Sequence, residues 1–246
     1  MVSESSVVTE SSAIHPAVGV HSQTLTDNCL VRNEWVCLEY VRTRSDTLLD
    51  AVGEHLFITV VSIAIGVLLA VPLAIIARRF GRTRPLTLGL STALYTVPSL
   101  AMFSLLLPVT GLSSATVITG LVLYSLTILV RNVLAGLDNV DDEVRDAARG
   151  MGFGRNRLLL RVELPLALPA AFAGLRVATV STIALTTVGT IAGFGGLGDL
   201  LSRGLQANFK AEVLTAAVLC VVLAVTADLL LLLAQRFVTP WQRGRA

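Results

Sequence analysis

The sequence predicts an all-α, polytopic membrane protein, and three observations carry that prediction. Hydrophobic residues fill 54% of the 246 positions and charged residues only 15%, with a mean hydropathy of +0.75, a balance that excludes an ordinary soluble domain. Five segments meet or approach the roughly 20 apolar residues that a bilayer core demands: Leu56–Ala77, Leu86–Leu107, Leu112–Leu134, Leu166–Ala192 and Ala211–Ala234. Their apolar runs are continuous rather than alternating, which excludes a membrane β-barrel.

Residues 1–54 are a different material. Met1 to Thr26 is rich in Ser, Thr and Val without periodicity and reads as loosely held. It lacks the basic start and apolar core of a cleavable signal. From Glu34 to Glu54, Trp35, Val36, Leu38, Val41, Leu48, Leu49 and Val52 suggest an amphipathic helix at the membrane surface, with Trp35 and Tyr40 at headgroup depth. An ordered linker is the alternative. Residues 55–236 form the expected transmembrane domain, with a charged loop at 138–165, and 237–246 a short tail.

Within the spans, Pro72, Pro98 and Pro108 kink or end helices. Pro98 beside Ser99 either opens carbonyls toward a cavity or is a passenger, since proline is common in membrane helices. Gly189 to Gly198 is too flexible for a regular span end. It reads as a re-entrant turn or a mobile loop, with Asp199 and Arg203 at i, i+4. Arg176, in the fourth span, either lines a path or snorkels to the interface. Asp228, in the fifth, is a proton relay or a satisfied packing residue.

Charge placement orients the chain. With five crossings, one side collects Arg78, Arg79, Arg82 and Arg84, six arginines between 131 and 165, and Arg236, Arg243 and Arg245, which makes thirteen. The other side holds five basic residues: Arg203, Lys210, Arg32, Arg42 and Arg44. The positive-inside rule puts the carboxyl terminus and the charged loop in the cytoplasm and the amino terminus outside. Cys29 and Cys37 then share the oxidising side, where they are a disulfide candidate or two free thiols. Cys220 is a small apolar packer.

The charged loop is the most specific stretch. Six arginines and six acidic residues crowd into 131–165, between runs almost free of charge. Asp138 or Asp141 can cap a helix whose first turn holds Asp142 and Glu143, favoured by the helix dipole. Gly152 and Gly154 supply a left-handed stop. A second short helix runs from about Asn156 to Glu163 before Pro165 opens the next span. The expectation is an elbow parallel to the membrane, with Ala147 and Ala148 leaving a face of little bulk for another protein. A solvated loop serving only topology is the bland alternative, but topology requires no Ala-Ala, Gly and Leu-Pro spacing. Interleaved carboxylates argue against nucleic acid.

That spacing, Asp146-Ala147-Ala148, then Gly152, Val162 and Leu164-Pro165, resembles the coupling loop of permease subunits from binding-protein-dependent ABC importers. It departs by Asp at 146 and Val at 162, where the family has Glu and Ile. Val71-Pro72-Leu73, Tyr95-Thr-Val-Pro-Ser-Leu-Ala101, Leu121-Val-Leu-Tyr124, Glu163-Leu-Pro-Leu-Ala-Leu-Pro169, Gly174-Leu-Arg-Val-Ala-Thr179 and Gly193-Phe-Gly-Gly-Leu-Gly-Asp-Leu200 resemble the branch that imports glycine betaine, proline betaine, choline and carnitine.

The resemblance implies a type I importer (MetI-like) permease fold and a second permease subunit, identical or sister. It also implies two cytoplasmic ATP-binding subunits gripping Asp146, Ala147, Ala148, Gly152, Leu164 and Pro165, and an extracytoplasmic solute-binding protein. ATP and Mg belong to the partner ATPase. This chain has no Walker A pattern, so no catalytic residue, bound cofactor or metal is expected in it. Candidates for the path or gate are Tyr95, Pro98, Ser99, Arg176, Thr179 and Thr182. His15, His21 and His55 form no ligand cluster in sequence. Rival classes are a methionine or other amino-acid permease, an ATPase-independent secondary transporter, for which no two-fold repeat stands out, and a membrane enzyme, for which no nucleophile–base pair stands out.

Overall fold

The structure, a computed structural model, describes residues 28–241. The loose stretch expected from Met1 to Thr26, with His15 and His21, and the arginines at 243 and 245 lie outside the described residues. Among those described, every regular element is helical. In order they are α1 (Leu38–Thr43), α2 (Ser45–Arg79), α3 (Thr83–Thr96), α4 (Ser99–Thr110), α5 (Ser114–Asp138), α6 (Asp142–Gly150) and α7 (Arg155–Leu158). A π turn at Leu159–Glu163 leads into α8 (Leu164–Thr186), a 3-10 turn (Thr187–Ala192), α9 (Leu197–Gln206) and α10 (Lys210–Val238).

The helix α5 is the axis of the bundle: 61% of its apolar stretch is buried inside the chain, against 6% for α10. Ala70, Ala74 and Ala77 of α2 and Ala167 and Ala178 of α8 pack around Leu129, Val130, Val133, Leu134 and Leu137 of α5. Small residues on the outer helices let backbones approach, as membrane packing requires when lipid is as apolar as leucine. Gly174 shows how close: a Cβ there would lie 2.3 Å from Asn132 Cβ.

Among the described residues four helices are long and apolar enough to span a membrane, and the expected second span is broken into α3 and α4, bent by 98°. The bend falls at Pro98, which lacks an N–H and forces extended backbone on Val97. The pair nevertheless accompanies α5 from one end to the other, antiparallel to it. Arg84 meets Asp138, Thr127 donates to the Ser91 carbonyl, Tyr124 to the Val97 carbonyl, and Thr110 meets Thr116. Phe103 fills the space beside Gly120. The broken pair therefore counts as one crossing. Five crossings place residues 28–44 and the end of α10 at opposite ends of the bundle.

The amino-terminal segment departs from the amphipathic helix expected over Glu34–Glu54. Only Leu38–Thr43 forms a separate helix, and from Ser45 the chain is already the first turn of α2. Tyr40 is 3% exposed, edge-on to Phe209 with ring centroids 5.3 Å apart, so it is core rather than headgroup anchor. Trp35 is exposed, with the Lys210 ammonium 5.9 Å from its ring. Cys29 and Cys37 are disulfide-bonded, Cα atoms 5.5 Å apart, and Asn33 bonds to the Asn208 carbonyl and the Lys210 N–H. The segment is a cap folded over the start of α10.

Candidate coupling site and neighbouring path residues

At the basic end, Asp142 and Glu143 occupy the first turn of α6, where carboxylates favour the positive end of the dipole. The helix stops as its spacing predicts. Met151, Gly152 and Phe153 N–H groups return to the carbonyls of Ala147, Arg149 and Ala148, and Gly152 takes φ +83°. Gly154 has φ −65°, so it supplies no part of that stop. The small face divides. Ala148 is 2% exposed, while Ala147 and Asp146 face outward. Asp146 pairs with Arg149 at 2.9 Å, both well exposed, a contact worth at most about 1 kcal/mol.

The expected second arm, Asn156 to Glu163, is not a separate helix. From Arg155 the chain runs through α7 and the π turn directly into α8. Pro165 is the physical reason: it offers no N–H to the turn before it, and the helix widens so that Leu164 N–H reaches the Leu159 carbonyl. Leu164 and Pro165 are half-buried at this junction.

Glu163, in that turn, is in sequence only the first residue of the Glu163–Pro169 stretch, and in the structure it is the centre of the charged end. It is 8% exposed, and its Oε1 accepts from Arg145 Nε at 2.9 Å and Arg78 Nη2 at 3.1 Å. Arg145 also donates to Asp142 and, at 2.8 Å, to the Leu137 carbonyl. Arg78 and Arg84 both reach Asp138, at 2.8 and 2.5 Å. Burial opposes the Arg145 charge, but its bonds to Asp142 and Glu163 outweigh that and hold the guanidinium above its ordinary pKa. A cavity of about 260 Å³ beside the network is lined by Arg78, Arg79, Arg145, Arg149 and Arg155 as well as the two acids.

The path candidates separate into two groups. Tyr95 is 48% exposed and edge-on to Tyr124 at 6.0 Å; Pro98 is exposed and Ser99 half-buried at the break. Thr179 and Thr182 are 8% and 2% exposed, turned into the bundle, so within this chain they line no open surface. Each spends its position on packing: Thr179 Oγ1 returns to the Leu175 carbonyl and Thr182 offers its carbonyl to Thr186. Arg176 and Asp228 are each other's partner through two bonds of 2.8 and 2.7 Å. Two isolated charges in sequence thus form one pair joining α8 to α10, the usual resolution of charge at membrane depth. Arg203 reaches Glu212 rather than Asp199, and Asp199 accepts from the Gly195 N–H at 3.0 Å.

His55 belongs to no ligand cluster in sequence, yet it is fully buried. Its Nε2 lies 3.0 Å from the Ile183 carbonyl and Nδ1 3.3 Å from that of Gly195; a neutral ring carries one N–H and donates to one of the two, so a single hydrogen bond ties α2 to α8 or to the glycine-rich turn. Its signal was a lone polar residue at the head of an apolar run.

Residues 62–244 match the family model described as binding-protein-dependent transport system inner membrane component. The chain belongs to that family and is a multi-pass membrane protein. It is 34% identical over 209 residues to the choline transport system permease protein OpuBD of Bacillus subtilis, covering 85% of this chain and 92% of that protein. It is 32% identical to the carnitine transport permease protein OpuCD of Listeria monocytogenes, covering 85% and 94%. With the osmoprotectant import permease protein OsmW of Salmonella typhimurium it shares 31% identity, covering 82% and 97%. Among solved structures, the inward-facing MetNI methionine ABC transporter matches with TM-score 0.70 at 20% identity, over 80% of this chain and 98% of that one. An amino acid ABC transporter with histidines matches at TM-score 0.69 and 18% identity, over 82% and 98%. These last two speak to the fold alone, a MetI-like permease.

Proposed function

We propose that this chain is the membrane subunit of an ATP-driven importer for a methylated-ammonium osmoprotectant: glycine betaine, proline betaine, choline or carnitine. The observation that carries the substrate class is the set of relatives above, named for choline, carnitine and osmoprotectants, at 31–34% identity over more than four-fifths of the chain. The structural matches to methionine and amino-acid transporters lie at 18–20% identity and bear on architecture only.

In this reading α6 and its Gly152 turn are the docking element for a cytoplasmic ATPase that binds ATP and Mg, while this chain hydrolyses nothing. Asp146 and Ala147 present the outward surface; Ala148, Gly152, Leu164 and Pro165 hold its shape. A second permease subunit completes the path and a solute-binding protein delivers cargo outside. The thirteen-to-five division of basic residues supports a cytoplasmic α6 and an external disulfide cap. Aromatic residues make up only 5% of the sequence, which favours tight recognition of a quaternary ammonium by the binding protein.

The test is reconstitution of the whole complex in proteoliposomes with labelled solutes. Uptake of glycine betaine, choline or carnitine should need ATP, the ATPase and the binding protein together. Methionine uptake with no response to any betaine, choline or carnitine would reassign the substrate, and uptake by the chain alone would remove the importer reading.

A further inference from the structure

One buried carboxylate gathers the charged end. Through a single oxygen Glu163 accepts from Arg145 of α6 and from Arg78 at the end of α2. The same two guanidiniums continue to the end of α5: Arg145 Nη2 to the Leu137 carbonyl and Arg78 Nη1 to Asp138. Glu163 itself sits in the π turn that leads into α8. Four elements, α2, α5, α6 and α8, are thus joined by one network: Glu163 holds the two arginines, and the arginines hold the end of α5. The side chains of Arg145 and Glu163 are only 12% and 10% exposed, so water cannot readily replace either partner. Exposed pairs on the same helix, such as Asp146–Arg149, have no such reach.

We propose that Glu163 is a positioning residue that gears α6 to the spans, so that a displacement imposed on α6 by a docked ATPase reaches α2, α5 and α8 together. The proposal rests on the reading of α6 as the ATPase-docking element. Its physical content is stiffness. The nine residues of α6 connect to α5 and α7 through short turns, and backbone alone would let a small helix rock independently. A carboxylate oxygen that accepts one bond from each of two guanidiniums, both of them also bonded to the end of α5, removes that freedom. The π turn adds the local adjustment that lets Glu163 point inward just before Pro165.

The experiment uses the complete complex of this chain with its ATPase and binding protein, and reads solute taken up per ATP hydrolysed. Glu163→Gln keeps shape and removes charge. It should lower the ratio about tenfold, within the usual range of coupling between sites, while the ATPase still copurifies and still hydrolyses. Glu163→Asp, which restores the charge on a shorter arm, should recover part of the ratio. A scaffold with no gearing role would lower uptake and hydrolysis together and leave the ratio unchanged. An unchanged ratio in Glu163→Gln overturns the proposal, and so does loss of ATPase association in that variant. Should Glu163→Gln fail to insert, Arg145→Gln decides, since it leaves Glu163 paired with Arg78 and must show the same fall. If the unsubstituted chain itself captures no ATPase, the docking reading has failed rather than the gearing.

Discussion

Ala147 and Ala148 are neighbours with opposite exposure, and that difference decides which substitution reports on docking. A bulky residue at 148 must enter the packed inner side of α6, where Ala148 is 2% exposed; overpacking there costs about 1–3 kcal/mol and disturbs the loop itself. Ala147→Trp instead adds bulk to the outward surface. It should abolish ATPase copurification while membrane insertion and thermal stability stay as in the parent; normal copurification and transport would remove this surface from the interface. Gly152→Val acts on the backbone, since φ +83° is closed to a β-branched residue, and should cost about 1–3 kcal/mol, read as a lowered unfolding temperature with weakened ATPase binding. At the other end of the bundle, His55→Ala removes the group between the Ile183 and Gly195 carbonyls. Leaving one buried carbonyl without its donor should destabilise by about 1–3 kcal/mol. Unaltered thermal unfolding in detergent would show that this tie carries no stability.

The α5–α8 crossing turns on closeness. Gly174→Ala would put a methyl 2.3 Å from Asn132 Cβ, which no rotamer change relieves because that atom is fixed to the backbone. The helices must separate, and we expect a loss of about 1–3 kcal/mol together with reduced transport; a variant as stable as the parent would mean the helices shift apart freely. Sequence made the five spans legible because each is a long run of one kind of residue. It could not show that the second is bent by 98°, since prolines are frequent in membrane helices and the broken end is supported by Tyr124, a residue of the third span. The α6 helix and its left-handed stop were legible for a local reason: acids in the first turn and glycine after the last lie within a dozen residues. Glu163 was not, because its partner Arg78 is 85 positions away. The same limit applies to the cap, where the pairing of Tyr40 with Phe209 and of Asn33 with Asn208 appears only once α10 is in place.

Across the whole molecule, the proposed orientation rests on parity and charge acting together. Parity alone says that an odd number of crossings separates the cap from the end of α10, and the passage of α3 and α4 along the full length of α5 makes the number five. Charge then chooses the side. Arginines crowd the α2–α3 turn and the α6 region, and their surplus is kept in the compartment from which the chain inserts. The cap supplies an independent reason, because the Cys29–Cys37 disulfide persists where thiols are not kept reduced. Non-reduced peptide mapping should find that bond, and breaking it should leave transport largely intact, since the cap is also held by the Tyr40 and Asn33 contacts. In a chain whose native cysteines are replaced, a single thiol at Ala207, exposed between α9 and α10, should react with an impermeant reagent added outside intact cells. One at Arg82, exposed between α2 and α3, should react only after the membrane is opened. The reverse pattern would invert the molecule, placing α6 away from any ATP and its arginines on the side the charge rule disfavours; labelling of both thiols from outside would break the parity, returning α3 and α4 to the same face as a re-entrant pair.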